Sequence, residues 1–153
     1  MAKSVIYTSL SNSLVRGRIN FQTDVFRMLL VNNNYTNLPE ATKRGHRVRT
    51  DVTPYETYGF NYTQSGSATV PGPGEATITI ANIDDPNRDV EIQFQIASWP
   101  NATFVTSGGV IYKFSGGTSG TDDLVGYVDF GQLYSFSNQT CDVTVDRNLK
   151  LQT

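Results

Sequence analysis

His46 is the one histidine in a chain of 153 residues, so any Ser-His-Asp or Cys-His triad would have to use it. It stands in Lys43-Arg44-Gly45-His46-Arg47-Val48-Arg49, which reads as an exposed basic stretch rather than a pocket. Cys141 is the one cysteine and precludes an internal disulfide. It alternates with Val143 and Val145, the pattern of a strand face turned inward, so a buried and inert thiol is expected rather than a nucleophile. No Gly-x-Ser-x-Gly, no phosphate-binding glycine loop with lysine and no Cys/His metal spacing occurs. Asp85-Pro86-Asn87-Arg88-Asp89 begins like a calcium loop, but Val90 stands where such a loop needs glycine and Ile96 where it needs a bidentate glutamate. An acidic turn between strands fits better. Asp122-Asp123 reads as a loop-tip pair, because neighbouring carboxylates on an extended backbone point apart and cannot share one substrate. These residues predict a protein that is not an enzyme and takes no cofactor or metal.

Binding chemistry is better represented. Lys43, Arg44, Arg47 and Arg49 put four cations in seven residues. Without interleaved aromatics for base stacking, and with a formal net charge of −2, they suit a solvated or protein-contacting loop and not nucleic acid. Tyr35, Tyr55 and Tyr58 fall in turn-rich segments, as do Tyr62 and Tyr134. A loop tyrosine is either a lid on the core or a contact for another chain, being large, stiff and half polar. The expected contact set is therefore Lys43, Arg44, Arg47, Arg49, Tyr35, Tyr55 and Tyr58.

The elements that must position these residues are mostly strands. One domain, 1–153, is expected from the length. Only 38% of residues are hydrophobic and 17% charged, and the rest is rich in Ser, Thr, Asn, Gln and Gly, a mix suited to short strands and many turns. No apolar run approaches the ~18 residues of a membrane span. Met1-Ala2-Lys3-Ser4-Val5 lacks the apolar core of a secretory signal, so a protein made and kept in the cytosol of its producer, with no membrane partner, is expected. Four Asn-x-Thr sequons stand at Asn34, Asn61, Asn101 and Asn138; about two would arise by chance in so Asn-, Ser- and Thr-rich a chain, and without a secretory signal glycosylation is not expected.

Tyr7 to Arg16 can form a short helix with Ile6, Leu10 and Leu14 on one side, ended by Gly17, and residues 1–20 can serve as an arm or short helix. A second helical turn starts near Asn37, with Pro39 in its first turn and Glu40 following. In Asp24 to Val31, Phe26, Met28 and Leu30 alternate with Val25, Leu29 and Val31, so both faces should be covered. Ala76 to Asn82, Asp89 to Trp99, Val110 to Phe114, Leu124 to Phe130 and Cys141 to Val145 read as further strands. Turn clusters lie at Pro71-Gly72-Pro73-Gly74, Asp84-Asp85-Pro86-Asn87, Ser115-Gly116-Gly117-Thr118 and Ser135 to Asn138. The fold class is all-β, an antiparallel β-sandwich or jelly roll with one or two short helical segments near the N-terminus.

The order of several segments resembles a family of small structural proteins of tailed bacteriophages. The segments are Leu14-Val15-Arg16-Gly17, Thr23-Asp24-Val25-Phe26, Asn34-Tyr35-Thr36, Tyr58-Gly59-Phe60-Asn61-Tyr62, Ser98-Trp99-Pro100-Asn101, Val110-Ile111-Tyr112-Lys113 and Leu124-Val125-Gly126-Tyr127-Val128-Asp129-Phe130-Gly131. The chain departs from that pattern between Ile83 and Val90, where the acidic turn and the following Asp89–Trp99 strand are larger than usual, and in its more basic Lys43–Arg49 segment. The resemblance implies a jelly-roll capsid decoration, or cement, protein on the outer surface of the virion head. Its partners would be the major capsid protein and further copies of itself, as a homo-dimer or homo-trimer. Other outcomes are a tail, connector or fibre-base protein, or a carbohydrate-binding β-sandwich with Trp99, Tyr55 and Tyr58 as a stacking platform.

Overall fold

The structure, a computed structural model, describes residues 3–21, 23–60, 62, 76–78, 80–84, 89–94, 97–115, 122–143 and 149–152. For 3–4, 76–98 and 149–152 only the backbone path of the residues within those spans is considered. The turns expected at Pro71–Gly74, Asp85–Asn87 and Gly116–Thr118, the sequon at Asn61, Val145, and the side-chain faces within Ala76–Asn82 and Asp89–Ser98 lie outside the described residues.

The described chain is mostly antiparallel β-sheet with a few short helices, the expected all-β class. The strands are β1 (Lys3–Ile6), β2 (Val25–Val31), β3 (Gly59–Phe60), β4 (Ala76–Ile78), β5 (Ile80–Asp84), β6 (Asp89–Phe94), β7 (Ala97–Phe114), β8 (Leu124–Ser135), β9 (Gln139–Val143) and β10 (Leu149–Gln152). The helices are α1 (Ser9–Val15), α2 (Asn33–Thr36) and α3 (Glu40–Arg44), with 3-10 turns at Arg49–Asp51 and Thr53–Tyr55. The main sheet runs β1-β8-β7-β2-β4, with β3 and β9 also on β7, and a second sheet runs β10-β6-β5.

Strand β7 is the spine. Its second half pairs with β2, from Val25↔Phe114 to Val31↔Gly108, and with β8 on the other side. Its first half pairs with β9 and β3. Trp99, Phe104, Cys141 and Val143 from that first-half layer share one core with Phe26, Met28, Leu30 and Ile111 of the main sheet, so the architecture is sandwich-like but not closed. Leu29 and Val31, on the opposite face of β2, join a second core with Tyr7, Tyr35, Val52, Tyr112 and Tyr127. The expectation that β2 is covered on both faces holds, except at Val25, which is exposed.

Local chemistry sets the ends of elements. Helix α1 stops where Gly17 takes φ +69°, and no atom lies near its absent Cβ, so the backbone conformation and not space selects glycine. Pro39, at φ −54°, leads into α3. Asn138 turns the chain between β8 and β9 at φ 52°, within the expected Ser135–Asn138 turn. The expected strand at Val110 proved to be the end of an 18-residue strand. Ser107-Gly108-Gly109 does not break it: a Cβ on Gly108 would lie 2.8 Å from the Val128 carbonyl oxygen, and one on Gly109 would lie 2.8 Å from Met28 Sδ. The glycines admit close neighbours across the sheet and make no turn.

Candidate functional site

The seven expected contact residues separate into two groups. Lys43, Arg49 and Tyr35 are buried, against expectation, while Tyr55 is half-buried and Arg44, Arg47 and Tyr58 are exposed. Arg49 Nε lies 3.1 Å from Asp122 Oδ2, and its Nη1 donates to the Tyr112 hydroxyl at 3.1 Å. Asp122 also accepts from the Ser115 N–H at 2.9 Å and from the Ser115 hydroxyl. Asp123, also buried, pairs with Arg18 at 2.8 Å. The acidic pair is thus no loop tip. The two carboxylates do point apart, and each meets its own arginine. Burial of such charges is tolerable only when they are paired and hydrogen-bonded.

Lys43 runs its ammonium beneath α2, donating to the Thr36 carbonyl at 3.0 Å and lying 3.3 Å from Glu40 Oε2. Glu40 Oε1 accepts from the Tyr127 hydroxyl at 2.7 Å. Beside them Tyr35 shares a short hydroxyl–hydroxyl hydrogen bond with Tyr7, and His46 Nδ1 stands 3.5 Å from the Tyr35 oxygen. Burial is the largest cause that raises the pKa of Tyr7, Tyr35 and Tyr127 above the ordinary phenol value, so all three stay protonated donors. Burial likewise lowers that of His46, against an opposing pull from Asp51. This network fastens the 32–58 segment to the second face of the sheet. The Cys141 thiol, buried first of all and beside Asp142, is pushed up to about 12 and is no nucleophile near neutral pH. Trp99 is buried in the first core, so the expected Trp99, Tyr55 and Tyr58 platform does not form. Among the described residues no three His, Cys, Asp or Glu side chains gather as a metal set, and no helix is long and apolar enough to cross a membrane.

Two surfaces remain, at opposite ends of β8. Where β8 begins, the Thr8 hydroxyl donates to the Arg44 carbonyl at 2.7 Å and the Ser9 hydroxyl to the His46 carbonyl at 3.4 Å, which joins α1 to α3. The Leu124 N–H donates to the Arg47 carbonyl at 2.9 Å, so Arg47 and the Arg18–Asp123 pair flank the same two residues of the chain. Arg18, Arg44 and Arg47 form an exposed basic corner there, with Val15 88% exposed on α1. Arg44 is only loosely held, 3.9 Å from Glu40.

Where β8 ends, its pairing with β7 skips. Asp129 faces Gly108 and Tyr134 faces Thr106, so Phe130 to Leu133 bulge out opposite Ser107 alone. Gly131 allows this at φ +79°, its N–H donating to Asp129 Oδ1 at 2.9 Å. The Thr106 hydroxyl braces the other strand, donating to the Val31 carbonyl at 2.9 Å, and Ser107 shares a 3.0 Å hydroxyl contact with Thr36. The bulge and α2 enclose two adjoining grooves of about 360 and 290 Å³, which share Asn33 and Leu133. Tyr58 (77% exposed), Phe60 (68%), Leu133 (50%) and Val105 (40%) give this end an apolar and aromatic rim.

No family model matches the chain, no curated protein is significantly similar in sequence and no solved structure is significantly similar in fold.

Arg44, Arg47 and Tyr58 are exposed as expected, while the grooves were not expected from the sequence. Their signals were present as the Asn32-Asn33-Asn34 run and as Gly131-Gln132-Leu133 inside an apolar strand. A glycine within a strand pattern marks a bulge, and Gly131 is such a glycine.

Proposed function

We propose that this chain is a structural binding module and not an enzyme, of the kind that decorates and cements the head of a tailed bacteriophage. The observation that supports this most is the basic corner. The N-terminal helix α1 and the Lys43–Arg49 segment, the latter expected to make partner contacts, are neighbours there on a two-core sheet. The exposed cations are Arg18, Arg44 and Arg47; Lys43 and Arg49 hold the corner from within. In this reading the corner docks on an acidic patch of the major capsid protein. Many copies, some self-associated, add contact where shell subunits would otherwise part, and each clip held at two points gains effective concentration. An exposed cationic contact mainly governs association and its salt dependence.

Copy number tests the reading. Quantitative mass spectrometry of purified particles from the producing culture should give this chain in a simple ratio to the major capsid protein. A handful of copies per particle would move it to the tail or connector, and absence from particles would overturn a virion role. Arg44→Glu with Arg47→Glu should leave stability within ~0.5 kcal/mol of the parent, as for exposed substitutions in general. The same variant should lose particle binding at low salt, which a sedimentation assay reads directly.

A further inference from the structure

The two grooves at the far end of β8 have a chemistry unlike that of the basic corner. Their side chains offer amides at Asn33, Asn34, Asn37 and Gln132, an exposed ring at Tyr58 and an apolar wall at Leu133. None of the described lining residues is Lys or Arg, and Asp129 is the one carboxylate among them. That selects against phosphate, nucleic acid and acidic sugars, all of which need cations.

An amide carries two donors and an acceptor on one planar group. That set matches a pair of adjacent hydroxyls, each of which donates and accepts. A flat aromatic ring beside it matches the C–H face of a sugar ring, apolar in the middle and polar at its edge. The frame behind these groups is already tied down. The Asn32 side chain accepts from the Asn34 N–H at 3.0 Å, and the Thr57 hydroxyl donates to the Val105 carbonyl at 3.1 Å. The Thr36–Ser107 contact fixes α2 against β7. A preformed frame lowers the ordering cost of binding. The grooves have volumes of about 360 and 290 Å³ and share a wall, which fits a short chain of sugar units better than a single small molecule.

We infer that the adjoining grooves between α2 and the β8 bulge are a binding site for a neutral oligosaccharide, with Tyr58 as its stacking ring and Asn33, common to both grooves, as its central polar contact. The site is separate from the basic corner, so its occupation does not depend on the docking proposed there.

Isothermal titration of the full chain tests this with maltohexaose, cellohexaose, mannohexaose and xylohexaose as neutral probes and oligogalacturonate as the acidic one. Binding of at least one neutral probe at about 1 mM or tighter is expected, with weaker or absent binding of oligogalacturonate. Tyr58→Ala and Asn33→Ala should each weaken it about tenfold or more, equal to about 1.4 kcal/mol. Both residues are exposed, and circular dichroism should show both variants folded. Arg44→Glu with Arg47→Glu should bind the sugar as the parent does. No binding to any neutral probe overturns the inference. So does tighter binding of the acidic probe, or neutral binding that neither groove variant weakens. A peptide or protein that protects Tyr58 while no sugar binds would reassign the grooves to protein contact.

Discussion

The two ends of β8 use opposite chemistry. At its start, Asp122 and Asp123 are buried against Arg49 and Arg18, and further arginines stand in solvent around them. At its end, amides and aromatic rings line grooves without a cation among their described residues. Charge acts at long range and is weakened by salt, so it suits an end that finds a partner. Amides and rings act only on contact, so they suit an end that discriminates by shape. One strand carries both because its two faces are already filled by cores, which leaves only its ends to specialise.

The largest effect should come from the charged end. Arg49→Met leaves Asp122 buried without its main partner and should cost about 3–5 kcal/mol in chemical denaturation. Adding Asp122→Leu should recover most of that loss, because a buried ion pair is more costly to break than to replace. Failure of the double variant to recover would mean that Asp122 serves Ser115 more than Arg49.

A smaller effect is expected at the groove end. Gly108→Ala sets a methyl 2.8 Å from a backbone oxygen of β8, which cannot swing aside like a side chain. About 1–3 kcal/mol should be lost. The amide resonances of Asp129 to Tyr134 should shift while those near Arg47 stay in place.

The smallest effect is a pH dependence near the charged end. The folded pKa of His46 lies below its ordinary 6.5, with burial the leading cause. Above that ordinary value neither the folded nor the unfolded state holds the proton. As pH falls through it, the unfolded chain is protonated first, so stability drops until the lower folded pKa is reached and then levels off. Melting temperature should therefore fall between pH 7.5 and 5.5 by more in the parent than in His46→Gln. Equal slopes would remove His46 from the account.

Much of the fold was legible because it depends on short-range pattern. The two faces of β2, the end of α1 at Gly17 and the turn at Asn138 each follow from a few neighbouring residues. Three of the errors share one cause. Arg49, Asp122 and Asp123 read as surface charges because their arginine or aspartate partners lie far along the chain. Arg49 and Asp122 are 73 positions apart, and Arg18 and Asp123 are 105 apart. The strand expected at Val110 to Phe114 stopped short of Ser107-Gly108-Gly109 because what those glycines admit, Val128 and Met28, belongs to other strands. Strand β1 was missed because four residues carry too little alternation to be read. The grooves arise from a register skip between two strands, which no single segment encodes.

The pairing of Lys3 with Asp129 sets a timetable for synthesis. Strand β1 has no partner on β8 until about 126 further residues, from Lys3 to Asp129, have been made. At ~5–20 residues per second that is a wait of roughly ten seconds, during which Val5 and Tyr7 are uncovered. Strand β2 waits about two-thirds as long for β7, with its apolar faces open. Such distant pairing makes folding slow once the chain is complete. Strands β1 and β2 therefore need shelter until β7 and β8 have been made.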